Sequence, residues 1–167
     1  MFALKCTRRF LARLDLKPAE EAAPSTTRLG DWCANVIPLG RREVALVVNV
    51  RSLLPVLVPL APVDRFLAEF LRTVAEVLVR IGVTPAAIDS ELCEMTSGRV
   101  EKTSSRQVLG SMTDFAFMAE ASSRARDLVE VAMWLAESPC SPIGMRSPSD
   151  VARELLGGRA RHEGLDS

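Results

Sequence analysis

Five consecutive apolar residues, Val44-Ala45-Leu46-Val47-Val48, set the first condition on any fold for this chain. A strand with one solvated face alternates apolar and polar positions, whereas an unbroken β-branched run fits a strand covered on both faces. The run therefore predicts a central strand with other strands beside it and helices over it. Trp32–Leu39 is a second apolar run, joined to residues 43–50 through Gly40-Arg41-Arg42, a connection that predicts a β-hairpin. Residues 54–60 add a third strand, which Pro55 and Pro59 place at an edge or confine at the strand ends, because proline cannot donate to a ladder. Phe2–Cys6 and residues 99–102 read as further short strands. Asn35 and Asn49 lie in these apolar runs and need partners wherever they are buried.

The remaining pattern is helical. Phe66, Phe70, Val74, Val77 and Ile81 recur at a period of 3.6, with Leu67, Leu71 and Leu78 beside them, predicting a helix over residues 63–81 that Gly82 ends. Thr84 at the N-cap and Pro85 at the first position open another, through Ile88, Leu92 and Met95. Its acids Asp89, Glu91 and Glu94 read as a solvated face. Thr7 caps a short helix ending before Pro18, with Phe10, Leu11 and Leu14 inward and Arg8, Arg9, Arg13 and Lys17 along a basic edge. Residues 18–30 form a loop. Leu128, Val131, Ala132 and Leu135 continue or restart a late helix that Ser138-Pro139-Cys140-Ser141-Pro142 stops, and Ser149-Asp150 caps a last one to Leu156. Strands early and helices late predict an α+β fold: a small antiparallel sheet of three to five strands with helices packed on it. One domain over residues 1–156 is expected, followed by a flexible tail over 157–167.

The most distinctive chemistry lies between Lys102 and Phe117. Thr103, Ser104 or Ser105 serves as N-cap to a helix whose buried stripe is Val108, Met112, Phe115 and Ala119. Arg106, Gly110, Asp114 and Phe117 follow on an adjacent face. Arg106 stands in the first turn, where a cation opposes the helix dipole, and Gly110-Ser111 costs helix stability, about 1 kcal/mol for the glycine. Two readings follow. In one, a small anion meets Lys102, Thr103, Ser104 and Arg106, with Gly110, Ser111 and Asp114 completing a ligand site. In the other, Gly110 and Ser111 let two helices touch while Arg106 pairs with Asp114 or another carboxylate.

The segment Lys102-Thr103, Arg106, Val108, Gly110-Ser111-Met112 and Asp114-Phe115 resembles the signature of a bacterial family catalogued as a domain of unknown function. Leu4-Lys5-Cys6-Thr7, Trp32-Cys33-Ala34-Asn35, Arg41-Arg42, Asn49 and Pro139-Cys140 are similar to the same pattern. The resemblance spans most of residues 1–145. It implies a single compact domain and carries no catalytic residue or cofactor with it.

Composition narrows the function classes. Lys/Arg and Asp/Glu balance at 21 each, so net charge favours neither nucleic acid nor an anionic membrane, although residues 1–60 hold nine cations against five acids. Arg8, Arg9, Arg13, Arg41 and Arg42 are thus the candidate nucleic-acid surface. Cys6, Cys33, Cys93 and Cys140 are widely spaced and the one histidine, His162, lies in the tail, so neither a metal centre nor a cofactor is expected, and the thiols suit a reducing cytoplasm. Without tyrosine, or histidine in the core, triad and histidine acid/base chemistry have no residues to use. The expectation is a small non-enzymatic cytoplasmic binding or regulatory module with an anionic ligand or a protein as partner and no membrane contact. Its rival is an enzyme on phosphate-bearing or nucleotide substrates, with Lys102 and Arg106 neutralising charge and Asp114 as base.

Overall fold

A computed structural model of the chain describes residues 1–122 and 127–157. β1 (Phe2–Cys6) leads through Thr7, whose hydroxyl accepts from the Phe10 amide at 3.2 Å, into α1 (Arg8–Leu14). β2 (Trp32–Leu39) and β3 (Arg42–Asn49) make the expected hairpin, closed by Gly40 and Arg41, and β4 (Pro55–Pro59) follows. Then come α2 (Val63–Arg80), α3 (Pro85–Glu94), β5 (Gly98–Lys102), α4 (Arg106–Ser122), α5 (Leu128–Ala136) and α6 (Pro148–Leu155). The cap of α6 is Ser147, two residues before the expected pair. Residues 158–167 of the tail, including His162, lie outside the described residues.

The five strands form one sheet in the order β4-β3-β2-β1-β5. The α+β class stands, but the sheet is mixed. β2, β3 and β4 pair antiparallel as expected, while β1 pairs parallel to both β2 and β5. Hairpin chemistry is local and readable in sequence, whereas a parallel neighbour is delivered by a long crossover that leaves no turn signature. β3 is interior, and Val44, Ala45, Leu46, Val47 and Val48 are all buried.

Both faces of the sheet carry core. On one, Phe70 of α2 meets Phe2 at a tilt, Trp32 edge to face at 5.3 Å and Phe66 stacked, in a cluster shared with α1 and α3. On the other, Cys33, Ile37, Leu46 and Val48 pack under Val108, Met112, Phe115 and Ala119 of α4. α5 runs beside β4 and places Val131 and Leu135 in one cluster and Ala136 in the other. A helix laid along an edge strand blocks pairing with foreign strands.

Asn49 is fully buried; its amide donates to the Leu29 and Asp31 carbonyls at 2.8 and 3.2 Å, and its oxygen accepts from Ser52. Asn35 accepts the Thr7 hydroxyl at 2.7 Å. Glu91 departs from expectation. It is 2% exposed, and its carboxylate accepts from the amides of Arg28 and Leu29 at 3.1 and 2.9 Å, tying the long loop to α3. An acid buried against orphan amides has the same spacing in sequence as an acid in water.

Candidate functional site

α4 is built where β5 ends. The Thr103 amide extends the strand pairing to the Cys6 carbonyl at 3.1 Å, and the chain then turns onto the face opposite α1. Ser105 is the cap, accepting from the Val108 amide at 3.3 Å. Burial of Val108, Met112, Phe115 and Ala119 fixes the helix's rotation, which sends Arg106, Gly110, Asp114 and Phe117 outward. All four are exposed, Phe117 at 79%.

Among the described residues, neither a helix contact at Gly110 nor an ion pair of Arg106 is present on this face. A Cβ built on Gly110 meets no atom of another described segment within 4 Å, so among the described residues no second helix packs against it. Arg106 and Asp114 lie about 12 Å apart along the axis at 1.5 Å per residue, and neither makes an ion pair among the described residues.

A second wall faces them. After α5, a 3-10 turn at Ser141–Ile143 leads into Gly144 and Met145, both left-handed at φ of 71° and 62°. The loop closes on itself, with the Cys140 amide donating to the Arg146 carbonyl at 3.0 Å and the Met145 amide to the Cys140 carbonyl at 2.9 Å. Arg146 also pairs with Glu154 of α6. The left-handed region is unfavourable for a residue with a Cβ, and here it turns Met145 outward to 63% exposure.

Between this loop and α4 runs a groove of about 860 Å³. Arg106, Gly110, Ser111 and Asp114 line it, with Phe117 and Met145 among its apolar lining. Lys102, Thr103 and Ser104 do not line it. Lys102 and Ser104 are exposed beyond the helix start, and the Thr103 hydroxyl lies 3.6 Å from the Cys33 sulfur. Met145 was not among the sequence candidates; one methionine after a glycine has no periodic context, and only the left-handed loop gives it a place.

Three of the thiols are poor nucleophiles. Burial, and then the Asp114 carboxylate, push the Cys140 thiol up. Cys33 is pushed up by burial against the opposing effects of the Thr103 hydrogen bond and Lys5, and Cys6 reaches about 12 through burial and the neighbouring Cys33. A protonated thiol attacks slowly. On the basic edge, Arg9 and Arg13 reach the same carboxylate, Glu43, at 3.2 and 3.5 Å. That engages two of the five arginines considered for nucleic acid. Among the described residues no His/Cys/Asp/Glu group is arranged to hold a metal, and no helix is long and apolar enough to cross a membrane.

A mixed five-stranded sheet with helices on both faces and a groove along one outer helix defines an α+β domain. Residues 3–151 match a domain of unknown function (DUF6933), and the chain belongs to that family. No curated protein and no solved structure matches it.

Proposed function

We propose that the chain is a non-enzymatic binding module of the cytoplasm whose binding surface is the groove between α4 and residues 138–145. The observation that carries this is the groove's lining. It brings together a cation and a carboxylate without ion pairs among the described residues, a glycine with open space where a Cβ would go, and two exposed apolar side chains. Such a surface suits a polypeptide that offers an acidic group to Arg106, a cation or donor to Asp114 and an apolar side chain to Phe117 and Met145. The anion expected at the helix start then becomes one acidic group of a larger partner. The phosphate-substrate enzyme has less support, because Lys102 lies off the groove and Arg106 stands two turns from Asp114.

Selection from a random peptide library tests this reading, with chosen peptides measured on the wild type and on Gly110→Trp, which fills the groove from a position open to solvent. Peptides that bind the wild type and raise its melting temperature, but lose at least tenfold in affinity for Gly110→Trp, are expected. Peptides bound equally by both proteins would place the binding surface elsewhere.

A further inference from the structure

The outward face of α4 has an internal symmetry. Arg106 and Asp114 lie four residues either side of Gly110, and Gln107 and Thr113 three residues either side; all five are exposed. Two such helices crossed antiparallel about a two-fold axis that passes between the two Gly110 residues, with their i±4 ridges aligned, bring each Arg106 to the partner's Asp114 and the two glycines together. We infer that the groove's partner is a second copy of this chain, docked α4 against α4 in an isologous dimer. This rests on the reading of the groove as a binding surface and names its occupant.

Three features of the single chain find their cause in that arrangement. Gly110 lowers helix propensity while leaving open space where a Cβ would go, and a glycine at a helix crossing lets two axes approach toward the short end of about 8–10 Å. Arg106 opposes its own helix dipole, and the partner's Asp114 sets a carboxylate beside both the guanidinium and the first-turn amides. Phe117, the most exposed of the large apolar residues described, lies three residues beyond Asp114 and is carried over the start of the partner's helix. A two-fold contact uses the same patch twice, so a face whose charges are opposite at equal distances from its centre complements itself. An unrelated peptide would need no such symmetry.

Sedimentation velocity over a concentration series decides the matter, using the full chain and two charge reversals, Arg106→Asp and Asp114→Arg. Both positions are exposed, and circular dichroism checks that each variant is folded. The wild type is expected to dimerise. Each variant alone sets like charges opposite each other twice and is expected to stay monomeric at concentrations where the wild type is dimeric. Mixed in equal amounts, the two variants again present opposite charges at both contacts, and dimer is expected to return. A wild type monomeric throughout, single variants that dimerise like the wild type, or a mixture that stays monomeric would each overturn the inference. Should the wild type be monomeric while library peptides still bind it and not Gly110→Trp, the second-copy assignment falls and the groove reading survives. With neither dimer nor peptide, both fall.

Discussion

Glu91 shows how much one carboxylate can organise. Its two oxygens accept from consecutive amides of a loop that has no strand or helix to satisfy them, so Glu91→Ala leaves one buried and one partly buried donor without this partner. A loss of about 2–4 kcal/mol in urea unfolding is expected from roughly 1–3 kcal/mol per unsatisfied group, with partial relief by water. Glu91→Gln keeps one acceptor oxygen and should lose less. Cys6 acts through pH instead. Its thiol ordinarily titrates near 9.0 and is pushed up to about 12 in the fold, mainly by burial. Below pH 9 both states hold the proton and its contribution is fully present. Above it the unfolded chain releases the proton first, so this contribution declines as pH rises from about 9 toward 12. Cys6→Ala should flatten the alkaline limb of a stability profile measured by denaturant midpoint; an unchanged limb would remove Cys6 as its cause.

At the scale of elements, α2 and α4 show the same periodic logic with different outcomes. Phe70 of α2 is fully buried, with ring centroids 5.9 Å from Phe2, 5.3 Å from Trp32 and 6.4 Å from Phe66. Phe70→Ala should cost about 3–5 kcal/mol, and a loss below about 1 kcal/mol would mean that the site collapses around the cavity. In α4 the buried stripe is as regular, but the opposite face holds a glycine with open space around it. Gly110→Ala is therefore expected to stabilise the isolated domain by up to about 1 kcal/mol in thermal unfolding at dilute concentration. Destabilisation there would show a contact at Gly110 within the single chain. The rotation of α4 was legible from Val108, Met112, Phe115 and Ala119, because a period of 3.6 fixes which residues share a face. What lies opposite the exposed face was not, since the loop over residues 138–145 comes from a distant part of the chain.

Across the whole molecule, the two core clusters share one sheet, so neither can persist without the other and a single unfolding transition is expected. α6 is tied to the end of α2: Arg153 donates to the Ile81 carbonyl at 2.9 Å, and Ala152 and Leu156 are buried. We propose that a chain ending at Gly157 keeps the full melting temperature, while one ending at Arg146 melts several degrees lower, at roughly 2–4 °C per kcal/mol lost. Equal melting temperatures for the two would show that α6 adds nothing to the domain. Read alone, the sequence determined the elements that depend on near neighbours. The buried run of residues 44–48, the hairpin at Gly40-Arg41, the proline-marked edge strand, the caps at Thr7 and Thr84 and the two helical stripes all follow from local sterics, hydrogen bonding and apolar period. Only the tertiary structure decided the parallel placement of β1 between β2 and β5, the burial of Glu91 against the loop, and the groove that joins Met145 to Arg106, Gly110 and Asp114. Each depends on which distant segments meet, and that is set by the joint burial of two faces of a sheet, a property no short window of residues contains.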